Sequence, residues 1–144
     1  MPTDDFNIGV ANWEDDRAAL ANIRRSVFID EQNVPEDLEW DEYDFLSTHF
    51  LVTVDGRPIA TARLKPDGQI GRMAVLSEYR QQGIGRKLLQ YILQHAANRN
   101  LKQLYLHAQV EALAFYEKQG FTAHGDVFYE ADIPHRAMSK KSAK

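Results

Sequence analysis

The run Arg80-Gln81-Gln82-Gly83-Ile84-Gly85 has the residue types and spacing in this chain best suited to chemistry. Two glycines stand one residue apart. They precede an apolar pattern of helical period, Ile84, Leu88, Ile92 and Ala96, widened by Leu89 and Leu93. Glycine lets a backbone turn sharply and approach a ligand, because no Cβ intervenes. A helix that begins at such a turn points unpaired N–H groups outward, and its dipole adds partial positive charge. That combination is an anion site suited to phosphates, with Arg80, Arg86 and Lys87 beside it. A lone Gly-x-Gly is equally the mark of a plain turn before a surface helix. Two more specific phosphate loops do not match. No Gly-Lys-Ser/Thr ends the run, and no third glycine stands in register for a dinucleotide fingerprint.

The surrounding pattern supplies the elements that must position this turn. Phe6 to Trp13 alternates weakly, as a first strand. Glu14 to Arg25 reads as a helix, with Ala18, Ala19, Ile23 and Val27 as apolar positions. Ser26 to Gln32 continues as a second helical piece that ends before Pro35. His49 to Val54 alternates, Asp55-Gly56 is a hairpin turn, and Pro58 to Leu64 is the return strand. Lys65-Pro66-Asp67-Gly68 turns the chain into a strand from Gln69 to Val75. After the helix from Ile84 to about Arg99, Leu101 to Ala108 is a strand. Glu111 to Gln119 is a short helix that Gly120 terminates. Phe121 to His124 and Val127 to Ala131 form a last pair of strands, the second reaching towards Met138. The order β-α-α-β-β-β-α-β-α-β-β is α+β: a mixed central sheet with helices on both faces. It puts the glycine turn at the C-terminal end of a central strand, where open sheets commonly hold ligands.

Composition narrows the function classes. A chain of 144 residues with 44% hydrophobic content fits one domain, residues 1–144. The tail 139–144 is basic and short, and is expected to be disordered. No stretch approaches the roughly 20 apolar residues that span a bilayer. Met1 to Phe6 is polar and acidic, unlike a secretory signal. The absence of cysteine excludes disulfides and thiol nucleophiles, and fits a cytoplasmic location. A net charge of −4 argues against general nucleic-acid binding. Five dispersed histidines show no metal spacing, so no metal is expected.

A second motif lies downstream, Ala114-Phe115-Tyr116-Glu117-Lys118-Gln119-Gly120-Phe121. Together with Arg80 to Gly85 it resembles the GNAT superfamily of acyl-CoA-dependent N-acetyltransferases. That family's phosphate loop reads Gln/Arg-x-x-Gly-x-Gly/Ala, and a late helix ends in Phe-Tyr-x-x-x-Gly-Phe. Val27 to Pro35, Glu39 to Asp44, Leu106 to Gln109 and Ile133 to Met138 resemble the ElaA/YjcF-like branch. The likeness covers nearly the whole chain.

The resemblance implies a GNAT-like fold and acetyl-CoA as acyl-donor cosubstrate. The loop amides of Gln81, Gln82, Gly83, Ile84, Gly85 and Arg86 would hold its pyrophosphate. Pantetheine would pair with Met73, Ala74 and Val75 like an added strand, and an N–H near Val75 would stabilise the tetrahedral oxyanion. A neutral primary amine would attack the thioester directly, without an acyl-enzyme. Tyr116 is the candidate acid for the leaving thiolate. His107 is the candidate base, with Glu31 and His135 as competitors. The expected acceptor is a small-molecule amine, and the resemblance leaves room for a homodimer.

Asp30 to Asp44 holds eight carboxylates and no lysine or arginine, with Trp40, Tyr43 and Phe45 interleaved or adjacent. One reading is a solvated face. The other is a wall that attracts a cationic acceptor and offers it an aromatic surface, with Glu31, Trp40, Asp41 and His135 as contacts. The alternative to an enzyme is a non-catalytic acyl-CoA-binding or protein-interaction module on the same fold.

Overall fold

Alternating strands and strong turn residues build a seven-stranded sheet in the computed structural model, which describes residues 6–141. β1 (Phe6–Ala11) leads to α1 (Trp13–Arg24), which Asn12 caps by accepting a hydrogen bond from the Asp15 N–H at 2.7 Å. The helix continues as a π-helical stretch, Arg25–Glu31. Two one-turn helices follow, α2 (Glu36–Glu39) and α3 (Tyr43–Leu46). A meander of β2 (Thr48–Val54), β3 (Arg57–Leu64) and β4 (Gln69–Val75) comes next. Then come α4 (Ile84–Asn98), β5 (Gln103–Gln109), α5 (Leu113–Lys118), β6 (Thr122–Glu130) and β7 (Ile133–Lys141). The strand order is β1-β2-β3-β4-β5-β7-β6, antiparallel except between β4 and β5.

Helices cover both faces. α4 buries Ile84, Leu88, Leu89, Ile92 and Ala96 against Phe50, Val52, Ala62 and Leu64, as its 3.6-residue period requires. On the opposite face Ile23 and Val27 pack on Ala74. In α1 the sequence pattern overlooked the buried residues Trp13, Leu20 and Arg24; Ala18 is exposed.

Two expectations at the C-terminal end are corrected. Gly125 does not separate two strands. It sits at an irregularity inside one strand, where the β6–β7 register shifts between His124 and Phe128. The hairpin turn is Ala131-Asp132, both left-handed at φ 51° and 63°. Residues 139–141, expected to be disordered, are in β7, which runs to Lys141 with Ser139 and Lys140 paired to Tyr105 and Leu104. The rest of that tail, and the acidic N-terminal residues 1–5, lie outside the described residues.

Candidate functional site

β4 and β5 run parallel but pair only at Gln69–Tyr105 and Ile70–Leu106. Beyond these positions the strands part. A bulge in β4 shapes the opening. Arg63 faces Gly71 and Thr61 faces Ala74, so Arg72 and Met73 stand opposite Ala62 alone. Arg72 takes a left-handed φ of 51°, a conformation a non-glycine residue holds only when its surroundings impose it. Past the bulge, the Leu76 N–H donates to the Ile59 carbonyl at 2.9 Å. Antiparallel ladders alternate, so the N–H and C=O of Val75 point away from β3, towards the gap. The carbonyl accepts from Arg80 Nε at 2.8 Å. The Val75 N–H is the donor left to the gap.

The glycine loop follows at the end of β4. Gln81 and Gly83 are both left-handed, at φ 64° and 80°. Gly83 is the N-cap of α4, with no side-chain cap and no acidic residue in the first turn. The first helical bond runs from the Lys87 N–H to the Gly83 carbonyl, 3.1 Å. The amides of Ile84, Gly85 and Arg86 therefore have no partner within the helix. A Cβ on Gly83 would meet Arg86 Nη2 at 3.4 Å, and one on Gly85 would meet the Phe115 ring at 3.7 Å. Open amides, a positive dipole end and the cations Arg86 and Lys87 fit a pyrophosphate.

Arg80 does something else. Its guanidinium donates to both oxygens of Glu31, with Nη2–Oε1 at 2.7 Å. It ties the loop to the π-helical stretch rather than to an anion. The hydrogen bond from Arg80 holds the Glu31 carboxyl below its ordinary range. Glu31, a competitor for base and substrate contact, is thus a loop anchor and does not line the cleft described next.

The opening between the strands is part of a cleft of about 650 Å³, whose walls include Met73, Tyr116, His107, Glu130 and His135. Tyr116 reaches it from α5, held edge-on by Phe115 and Phe121 at 5.0 and 6.1 Å. Its hydroxyl lies 3.9 Å from Met73 Sδ, and burial pushes the phenol up to about 12. It is protonated throughout the neutral range. His107 projects from β5, with Nδ1 2.8 Å from Glu130 Oε2. His135 of β7 is buried, with Nδ1 2.6 Å from the Ile133 carbonyl. The cleft thus joins Tyr116, His107 and His135. Sequence reasoning missed Glu130, which lies 23 residues from its histidine partner and in no recognisable motif.

The acidic segment does line the cleft, through Glu39, Asp41 and Tyr43, but its buried carboxylates are matched by arginines. Arg24 donates from Nε to Glu39 at 2.8 Å and from Nη1 to Asp44 at 2.7 Å. Arg63 Nη1 bridges Asp41 and Asp44 at 2.7 and 2.9 Å. Arg72 pairs with Glu39 and Asp41 at 3.2 and 3.3 Å. Three guanidiniums neutralise three carboxylates in one wall of the cleft, where Glu39, Asp41, Arg63 and Arg72 line it and Arg24 and Asp44 stand behind them. The side chains of Arg24, Glu39 and Asp44 are only 1–3% exposed. Burial raises Glu39. Burial is also the largest influence on Asp44 and pushes it up, but the hydrogen bonds and charge of Arg24, with the Asp41 N–H and Arg63, together outweigh it and hold Asp44 low. Trp40, expected as an aromatic contact, lies under Arg24 and Arg25 at 5.0 and 5.7 Å, away from the lining. Asp41 does reach the cleft, but both its oxygens are bound to arginine. The other acids are exposed, and Glu36 pairs with Arg25 at 2.7 Å.

Among the described residues no cluster of three or more His, Cys, Asp or Glu has metal-binding geometry, and no helix is long and apolar enough to cross a membrane.

Relatives share this architecture. The acetyltransferase (GNAT) domain family matches residues 14–142. YjcF of Bacillus subtilis, described as an uncharacterized N-acetyltransferase, is 33% identical over 82% of this chain and 87% of its own. An acyl-CoA N-acyltransferase from Pseudomonas aeruginosa superposes with a TM-score of 0.85 and 32% identity, over 94% of this chain and 99% of that one. Escherichia coli ElaA does so with a TM-score of 0.84 and 28% identity, over 93% and 99%. A cleft between splayed parallel strands, an uncapped glycine turn at its end and these relatives converge: the chain belongs to the acetyltransferase (GNAT) domain family, in its ElaA/YjcF-like branch.

Proposed function

We propose that this protein transfers an acyl group, acetyl by the family resemblance, from acyl-CoA to a primary amine by direct attack. The observation that carries the reading is the gap between β4 and β5. It presents the Val75 N–H on one side and leads to Tyr116 and His107, with the uncapped start of α4 at its end. Pyrophosphate would rest on the amides of Gly83 to Arg86. Pantetheine would lie along Met73 to Val75, and the Val75 N–H would face the thioester oxygen.

The amine nitrogen forms a bond to the thioester carbon, and the carbon–sulfur bond breaks. The proton leaving the nitrogen goes to His107, and from there to solvent. Tyr116 gives its proton to the departing sulfur and regains one from solvent. The products are an amide and free CoA. Holding the two reactants in contact supplies much of the acceleration.

CoA release against a panel of amines, at several pH values, tests this. Wild type should release CoA with at least one amine. Tyr116→Phe should keep acyl-CoA affinity and lose about 10²–10⁴-fold in turnover. Acyl-CoA binding without release for any amine would favour the non-catalytic binding module.

A further inference from the structure

Glu130 ends β6, opposite Ile133, immediately before the Ala131-Asp132 turn. Two-residue hairpin turns of this hand favour asparagine and glycine, which tolerate positive φ. Here an alanine and an aspartate hold it, at φ 51° and 63°. Strain of this kind persists where the surroundings over-determine a position. The position it fixes is that of a carboxylate between two imidazoles. Glu130 Oε2 is 2.8 Å from His107 Nδ1, and Oε1 is 3.8 Å from His135 Nε2. Phe128 keeps both rings in place, edge-on to His107 at 5.0 Å and stacked on His135 at 6.0 Å.

We propose that Glu130 is a positioning residue, which keeps the proton on Nδ1 of His107 and so makes Nε2 the nitrogen that receives the acceptor's proton. A carboxylate only accepts hydrogen bonds, so the 2.8 Å contact requires the hydrogen on Nδ1. The lone pair is then on Nε2, and the imidazolium formed when it takes a proton sits against a negative oxygen. His135 is oriented separately. The Ile133 carbonyl can only accept, so Nδ1 of His135 carries a hydrogen and its Nε2 turns to the second carboxylate oxygen. The titratable groups near His107 are Tyr105 from its own strand, Glu130 from β6 and His135 from β7. Arg72 and Tyr116 share the cleft from other elements.

This inference rests on the acyl-transfer reading, and its test separates the two. Nitrogen-detected NMR of the imidazoles reads the tautomer and titration of His107 without any turnover. In wild type the neutral ring should carry its proton on Nδ1. In Glu130→Gln the tautomers should mix and the His107 titration should move to lower pH. Turnover should fall about 10–100-fold, the loss typical when the hydrogen-bond partner of a metal-bound histidine is removed, with acyl-CoA affinity unchanged. The acidic limb of the pH–rate profile, which reports the base, should move with the NMR titration, and Glu130→Asp should restore part of the rate. An unchanged tautomer and titration in folded Glu130→Gln would overturn the assignment, whatever the turnover. A shifted tautomer in a protein that acylates no amine would uphold the positioning and defeat the acyl-transfer reading instead.

Discussion

Two regions of this molecule gather cationic side chains and put them to opposite uses. In one wall of the cleft, Arg24, Arg63 and Arg72 meet Glu39, Asp41 and Asp44 in a neutral, mostly buried network. At the start of α4, Arg86 and Lys87 sit in the first helical turn, where the dipole is already positive and no acid accompanies them. The first set is matched inside the fold and orders the segment from residue 36 to 46. The second is electrostatically unfavourable until an anion arrives. Charge that the chain neutralises by itself is architecture. Charge left unmatched beside open backbone donors is the better indicator of a ligand.

The largest effect should come from breaking the matched set. Arg24→Met would leave Glu39 and Asp44 buried without their main partner. Removing one member of a buried ion pair typically costs about 3–5 kcal/mol, measurable by urea unfolding. Adding Glu39→Leu and Asp44→Leu should recover much of that loss, because the stranded charges go with it. A small loss from Arg24→Met alone would mean the network is slack, and would blur the contrast between the two regions.

Next comes the unmatched set. Gly83→Asp puts a negative side chain on a left-handed residue where the pyrophosphate would lie. Acyl-CoA affinity should fall at least about 100-fold by calorimetry, equivalent to about 2.7 kcal/mol, while circular dichroism stays native. Retained affinity in the folded variant would move the ligand away from this loop.

The smallest effect is a pH dependence seated beside the matched set. His49 stacks on Trp13, and its Nε2 donates to the Asp44 carbonyl at 2.7 Å. Burial lowers its titration below the usual value of 6.5. The folded state therefore resists protonating this ring more than the unfolded chain does. Its contribution should be complete above about pH 6.5 and decline as the pH falls towards the lower folded value. Thermal melts from pH 7 to 5 should show that decline, and His49→Gln should flatten it. Identical slopes in both proteins would assign the acid sensitivity to other groups.

The legibility of these regions in the sequence follows from the range of the interactions that make them. The loop, α4 and the β2–β3–β4 meander depend on neighbours within a few residues: Gly83 before Ile84, Asp55 beside Gly56, alternation through Phe50 and Val52. Such patterns can be read locally. The acidic run looked unbalanced because its counterions come from Arg24, Arg63 and Arg72, up to 33 residues away from the acids they serve. Glu130 was invisible for the same reason. The last hairpin misled through chemistry, since glycine occupies the bulge while alanine and aspartate occupy the turn.

The two-residue ladder between β4 and β5 has a mechanical consequence. It divides the sheet into two panels, β1–β4 and β5–β7, stitched together by a short seam at one end. The Val75 amide rides on one panel; His107, Glu130 and His135 ride on the other. The spacing between them is therefore set by the core packed across both panels rather than by a continuous ladder. One stitch crosses near the open end, from Gln109 of β5 to Gln32 beyond the π-helical stretch, at 3.0 Å. A volume change in the core shared by the two panels would alter their separation, and with it the distance from the Val75 amide to His107.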